Sequence, residues 1–213
     1  MGSNGRGEES SRRPLDRYDT APWQIRALLR NVPEIKGRIV EPCSGDNSIV
    51  KVIHEERVGL IDSLITNDLD PSTPAGMNMD ATGEAFWNLV ATQCDWVVSN
   101  TPYEMPTCLS IVQHAVNTAK VGVALMLRLS FLEPTAHLHP RGPWLQEHPP
   151  SRQLALPRYS FTGNGKSDSV TTAWFLWSRK RLSGKPILAL YNADVVYATI
   201  PEIETEARSA GTE

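Results

Sequence analysis

Gly37-Arg38-Ile39-Val40-Glu41-Pro42-Cys43-Ser44-Gly45-Asp46-Asn47, running on into Ser48-Ile49-Val50-Lys51-Val52-Ile53, is the stretch from which the fold is read. Gly37 to Glu41 reads as a short strand, Pro42 to Asn47 as a tight turn, and Ile49, Val50, Val52 and Ile53 as the apolar face of a helix. Glycine at position 45 lets backbone approach a ligand closely, and the helix amino terminus behind it offers free N–H groups. Strand, glycine turn and helix in this order suit a nucleotide-type cofactor.

Working outward, a strand over Leu64 to Asn67 ends in Asp68, 23 positions after Gly45. That is close to the spacing of about 20 residues between a glycine turn and an acid that accepts ribose hydroxyl bonds. Asp70 is the second candidate for this role, and either aspartate could instead cap a turn. Asp80-Ala81-Thr82 precedes an amphipathic helix, Gly83 to Val90, whose apolar side is read as Ala85, Phe86, Leu89 and Val90. At a loop mouth the Asp80 carboxylate can accept from an exocyclic amine; as a helix cap it would look the same. On the amino-terminal side Thr20 is expected to cap a helix with Pro22 in its first turn, carrying Trp23, Ile25, Ala27, Leu28 and Leu29 and ending near Asn31-Val32-Pro33.

Asp95-Trp96-Val97-Val98-Ser99-Asn100-Thr101-Pro102-Tyr103 is the most chemically specific stretch. A β-branched and aromatic strand runs into a turn that Pro102 forces to leave in extended form. At the carboxyl edge of a sheet this would present the Asn100 amide and the Tyr103 ring. An amide oxygen beside a backbone carbonyl accepts both hydrogens of a planar amino group, and an aromatic ring stacks on the heterocycle carrying it. A helix over Thr107 to Thr118 and an apolar strand over Val121 to Leu127 follow. Strand and helix thus alternate at least four times, which predicts one α/β domain: a doubly wound, mostly parallel Rossmann-like sheet with helices on both faces. Pro134 to Pro150 lacks periodicity and reads as a long loop. Leu154 to Leu156, Tyr159 to Phe161 and Thr172 to Trp177 read as the last strands, with a Gly163-Asn164-Gly165 turn between them, and Ile187 to Tyr191 with Val195 to Thr199 as a short edge pair. Residues 1–15 are expected to be a disordered leader, 16–200 the domain, and 201–213 an acidic tail.

The chain has 213 residues, 40% of them hydrophobic, enough to bury one proper core. No uninterrupted apolar run suits a membrane span, and Met1 to Pro14 lacks the apolar centre of a signal peptide. The three cysteines, Cys43, Cys94 and Cys108, have no Cys-x-x-Cys spacing, so neither a disulfide framework nor a zinc site is indicated and a reducing compartment fits. His137, His139 and His148 have no acidic or cysteine companions at ligand spacing, so no metal is expected. The net charge is −3. Yet Pro134 to Lys185 carries Arg141, Arg152, Arg158, Lys166, Arg179, Lys180, Arg181 and Lys185 against Glu147 and Asp168, a net +6 that leaves −9 for the rest. A one-sided basic region on an acidic body reads as a nucleic-acid footprint or as an ordinary solvated edge.

Taken together, Glu41-Pro42-Cys43-Ser44-Gly45, then Asp68, Asp80 and Ser99-Asn100-Thr101-Pro102-Tyr103, resemble the motif order of S-adenosylmethionine-dependent amino-methyltransferases, especially phage-type DNA adenine N6-methyltransferases. Asp19-Thr20-Ala21-Pro22-Trp23 is similar to their amino-terminal cofactor motif. Arg158 to Phe161, Asp168-Ser169 and Ala173 to Trp177 resemble their closing strands, so the likeness spans residues 16–178. It implies that Thr20, Pro22 and the Glu41 to Asn47 turn hold S-adenosylmethionine, with Asp68 at its ribose and Asp80 and Ala81 at its adenine. It implies that Asn100 and the Thr101 carbonyl accept the amino group of a flipped base, with Pro102 rigidifying the turn and Tyr103 stacking. DNA would be the partner, met through the basic 134–185 region, with residues 134–168 as target-binding loop, in the cytoplasm of a bacterial or phage-infected cell. Two positions depart from the pattern: Thr101 stands where the family usually has proline, and Asn47 where it usually has a second glycine, a place Asn fills if its backbone is helical or left-handed. An RNA or protein amino-methyltransferase, a non-catalytic partner subunit of the same fold, and a dinucleotide-dependent oxidoreductase are the competing readings.

Overall fold

A computed structural model describes residues 20–133, 140–156, 171–180, 182, 188–190 and 193–197. Eight strands form one sheet: β1 (Gly37–Glu41), β2 (Ile61–Thr66), β3 (Trp96–Asn100), β4 (Gly122–Arg128), β5 (Arg152–Ala155), β6 (Thr172–Ser178), β7 (Leu188–Leu190) and β8 (Ala193–Tyr197), in the order β2-β1-β3-β4-β6-β5-β8-β7. The helices are α1 (Pro22–Asn31), α2 (Ser48–Glu56), α3 (Glu84–Val90), α4 (Thr107–Thr118) and α5 (Arg141–Glu147). β2, β1, β3 and β4 are parallel neighbours, whereas β6 runs antiparallel to both β4 and β5, and β7 antiparallel to β8. The sheet is therefore mixed: β6 and β7 run against the other strands, so the mostly parallel expectation is met only in part. The strand and helix alternation behind the parallel expectation involves only the chain up to β5; β6 then enters between two strands already laid down.

Helices cover both faces, and the strands sort their side chains accordingly, since successive residues of a strand point to opposite sides. Ile39, Trp96, Val98, Ala124, Met126, Trp174 and Leu176 face one way, against Ile25, Leu28 and Leu29 of α1 and Ile49, Val52 and Ile53 of α2. Val40, Val97, Val123, Leu125, Leu127, Phe175 and Trp177 face the other way, against Phe86 and Val90 of α3 and Leu109, Ile111 and Val112 of α4. Each fully buried aliphatic or aromatic side chain of this kind contributes about 1.5–3 kcal/mol. The Trp174 indole N–H donates to the Gln24 carbonyl at 2.9 Å, bonding the first helix to a late strand.

Several expectations need correction. Ala21, not Thr20, is the residue before α1; its N–H donates to Gln24 Oε1 at 3.0 Å, so a glutamine three residues on closes the helix start. In α3 the buried face is Phe86, Trp87 and Val90, while Ala85 is exposed and Leu89 57% exposed. Trp87 turns inward because Ala81 offers its indole N–H a carbonyl at 2.8 Å. Pro134 to Pro150 is not all loop, since α5 lies within it and lays Trp144 and Leu145 on the second core. β7 and β8 form the edge pair expected. The strand at Tyr159 to Phe161 and the turn at Gly163 to Gly165 lie outside the described residues.

At the amino ends of the central strands packing is tight. A Cβ on Gly122 would stand 2.6 Å from the Trp96 ring and 3.1 Å from the Trp177 carbonyl. Beside it Arg38 holds Asp95 bidentately, through Nε at 2.9 Å and Nη2 at 2.7 Å, and adds its backbone N–H at 3.0 Å. Hydrogen bonding from the Arg38 guanidinium holds the Asp95 carboxyl down, at about 2. Two outcomes are expected. Gly122→Ala destabilises the fold by about 1–3 kcal/mol, measured by thermal or denaturant unfolding, because the indole cannot shift within a filled core. Asp95, with its folded pKa below the unfolded value, contributes stability at neutral pH that is lost as pH falls from about 4 toward 2. Asp95→Asn should accordingly lower the melting temperature at pH 7, and the gap from the parent should close over that acid range.

Candidate active site

The carboxyl edge of the parallel strands collects the expected residues in a row. Across it stand Asp68 just after β2, Glu41 at the end of β1, Asn100 at the end of β3 and Arg128 at the end of β4. Neighbouring strands lie about 4.8 Å apart, so these groups share one crevice edge. The glycine turn is built by two left-handed residues, Gly45 at φ 52° and Asn47 at φ 66°. Asn47 thus takes the backbone conformation that favours glycine, and its amide donates to the Pro74 carbonyl at 2.8 Å. The Gly45 N–H donates to Asp68 Oδ2 at 2.8 Å, while Asp68 Oδ1 accepts from the Asp70 N–H at 3.0 Å. Asp68 therefore braces the glycine turn.

Asn67, which the sequence reading passed over as a strand end, organises this region. It is fully buried, and its Nδ2 donates to the carbonyls of Pro42 at 3.0 Å and Met79 at 2.9 Å. Its Oδ1 accepts from the Met79 N–H at 2.9 Å, and its backbone bonds Glu41 O and Ser44 N. A buried, short polar residue directly before the ribose-type acid was the available signal. Met79 carries the chain to Asp80 and Ala81. Asp80 is exposed, and its Oδ1 accepts from the Thr82 hydroxyl at 2.7 Å and N–H at 2.8 Å, which lowers its pKa. Ala81 is buried. At the start of α1, Thr20 is buried and Pro22 exposed.

The turn is acidic and only partly satisfied. Glu41 is 1% exposed, and burial pushes its carboxyl well above the usual range, with Asp46 and Asp68 adding to the rise and a backbone bond from Val50 opposing it. Its Oε2 and the Ser44 hydroxyl are buried without a hydrogen-bond partner. Burial likewise pushes the Cys43 thiol up, so it fills space rather than acting as a nucleophile. The Ser99 hydroxyl donates to the Cys43 carbonyl at 3.4 Å and ties β3 to the turn.

At the Asn-Thr-Pro-Tyr turn the Tyr103 hydroxyl donates to Asn100 Oδ1 at 2.9 Å. The Arg128 guanidinium lies over the Tyr103 ring, 5.1 Å from the centroid. Pro102 is half-buried. Thr101 is buried, with its hydroxyl 3.9 Å from Cys108 Sγ. Arg141 lies nearby: 7% exposed, it sits 5.7 Å from the Phe131 ring centroid and donates to the Glu133 carbonyl. Burial pushes the Cys108 thiol beneath the turn up to about 11, against the opposing effects of the Thr101 hydroxyl and of Arg141 and Arg128.

Only part of the expected basic footprint falls on described residues. Of its basic residues that are described, Arg141 and Arg152 are buried, Arg152 donating to the carbonyls of Asn31 and Leu182. Arg179 spends its guanidinium on the carbonyls of Ala119, Val116 and Asn117. Lys180 is exposed, and Arg158, Lys166, Arg181 and Lys185 lie outside the described residues. Among the described residues no helix is long and apolar enough to cross a membrane.

No family model matches the sequence, and no curated protein matches it. Solved structures do match the fold. The methyltransferase subunit of a type I restriction-modification system from Streptococcus thermophilus aligns with a TM-score of 0.60 at 14% identity, over 92% of this chain and 53% of that one. The modification subunit of a protein ascribed to the type I restriction enzymes of Vibrio vulnificus gives 0.58 at 9% identity, over 92% and 53%. A protein of Listeria monocytogenes ascribed to the class I S-adenosylmethionine-dependent methyltransferases gives 0.54 at 11% identity, over 87% and 67%. The chain thus has the fold of the S-adenosylmethionine-dependent methyltransferases. It spans about half the length of the two restriction-system subunits.

Glu41 supplies a test of the turn's electrostatics. A carboxyl whose folded pKa is raised is stabilising below its unfolded value and loses that contribution as pH rises. Glu41→Gln, equal in shape, should raise the melting temperature of the ligand-free protein at pH 7 to 8, with the gain vanishing toward pH 4.

Proposed function

We propose that this protein transfers a methyl group from S-adenosylmethionine to the exocyclic amino group of a nucleic-acid base, adenine N6 in DNA, with the base flipped from its stack into the Asn100 to Tyr103 turn. The observation that carries this reading is the single row at the sheet edge: an acidic glycine turn braced by Asp68, and immediately beside it an amide oxygen and an aromatic ring. When bound, S-adenosylmethionine supplies a methyl group on a positively charged sulfur, already activated toward an amine. The residues present fit such a cation. The buried Glu41 carboxyl has an oxygen without a partner, Ser44 a hydroxyl without one, and Asp46 and Asp68 add negative charge. Glu41 to Asn47, with Thr20 and Pro22 at the start of α1, would hold the methionyl part, Asp68 the ribose, and Asp80 and Ala81 the adenine.

For the acceptor, Asn100 Oδ1 and the Thr101 carbonyl take the two hydrogens of the amino group and fix the direction of the nitrogen lone pair. An amide oxygen has two lone pairs, so the Tyr103 hydroxyl occupies one and orients the amide with its oxygen toward the site. Pro102 stiffens the turn. Once the base enters, the Tyr103 ring stacks on it, and unstacking the base from its strand costs a few kcal/mol that this contact helps offset. Positioning of this kind supplies most of the acceleration. The fold likeness to restriction-system methyltransferases supports the choice of DNA, and on this reading the protein works beside nucleic acid in the cytoplasm of a bacterial or phage-infected cell.

The test is incubation of mixed-sequence DNA with methyl-labelled cofactor followed by nucleoside analysis. N6-methyladenine is the expected product. Asn100→Ala should lose transfer by a factor of about 100 or more while binding of the cofactor, measured calorimetrically, stays intact. Full transfer by that variant would sink the assignment.

A further inference from the structure

Arg128 stands at the end of β4, in the same row as Asn100. Its guanidinium covers the Tyr103 ring, and its Nε is buried without a hydrogen-bond partner. Arg141 behind the turn also has a buried, unpartnered Nε, although its Nη2 is engaged by the Glu133 carbonyl. The sheet edge is thus divided: the carboxyl groups of Glu41, Asp46, Asp68 and Asp80 lie on the glycine-turn side, and two guanidiniums lie on the Asn100 side. A cation resting on an aromatic face is held only weakly where solvent reaches it. A guanidinium meeting a phosphate gains charge-assisted, bidentate hydrogen bonds that are stronger. An arriving phosphate therefore outcompetes the ring.

We infer that Arg128 is a phosphate-binding residue of the acceptor site, resting on Tyr103 until the phosphodiester backbone beside the target base takes its guanidinium and uncovers the ring. This deepens the function proposed above and rests on it. It identifies the acceptor as a polyanionic strand rather than a neutral amide side chain of a protein. It also couples substrate arrival to exposure of the stacking surface, because one side chain cannot hold both partners.

The experiment measures binding of a fluorescein-labelled, mixed-sequence single-stranded 20-mer to the whole chain between 50 and 200 mM NaCl, with S-adenosylmethionine binding measured on the same preparations. Arg128→Ala should weaken binding on the order of tenfold at the low-salt end and reduce the slope of log affinity against log salt by about 0.7, the loss of one phosphate contact. Arg128→Lys should restore the slope, since an ammonium also binds phosphate. Cofactor affinity should not change in either variant. A slope unchanged in Arg128→Ala overturns the inference and leaves the arginine a structural cover for Tyr103. So does a parent protein that binds no DNA, or one that methylates a glutamine-containing peptide instead. Loss of cofactor binding by the parent protein would instead be a failure of the methyltransferase reading itself, and the two are thereby told apart.

Discussion

The site depends on one buried amide. Asn67 sits where β2 ends, with its backbone N–H, its carbonyl, both hydrogens of its Nδ2 and its Oδ1 all bonded. These bonds pin the Pro42 to Ser44 turn on one side and Met79 on the other, so two loops from different parts of the chain are held at a common depth. A buried amide left without partners costs several kcal/mol in an apolar setting, which makes this arrangement close to all-or-none. Everything the turn presents outward, from Glu41 to the Gly45 N–H held by Asp68, inherits its position from that clamp.

Strand order then converts a local turn into a site with polarity. Because β3 lies between β1 and β4, the amide of Asn100 is flanked by a carboxyl on one side and a guanidinium on the other. Neither flank comes from the same loop as the amide. Side-chain alternation does the remainder: the apolar residues of each strand are divided between two helix layers, and the strand ends carry the polar groups of the site. This is why a sheet with 40% hydrophobic composition around it still gathers so many polar groups at one edge.

What could be read in the sequence follows from the range of the forces involved. β1 and α4 have the expected bounds, and Asn47 takes the left-handed backbone that its substitution for glycine required. These are local matters of turn chemistry and apolar period. Arg141 and Arg152 were misread because counting charge treats every guanidinium as solvated, whereas each is buried against backbone carbonyls contributed from elsewhere in the chain. α5 was missed because Pro143 and the flanking prolines and histidines mask a short helix whose two apolar contacts, Trp144 and Leu145, are adjacent rather than periodic. The Tyr103 hydroxyl bond to Asn100, the inward turn of Trp87 and the direction of β6 are settled by tertiary packing, and no spacing announces them.

The place of β6 has a consequence for how the protein is made. It is the central partner of both β4 and β5, yet both are synthesised before it, and its Trp174 indole is also what fastens α1 at Gln24. A chain emerging from the ribosome therefore reaches β5 with two strands whose ladders await a partner still inside the exit tunnel. Closing that gap is a contact of long sequence separation, the slow kind in folding, and until then the apolar face of the first helix has no lock. Assembly of the sheet therefore waits until β6 has emerged, and the nascent chain spends that interval with strand edges that need shielding.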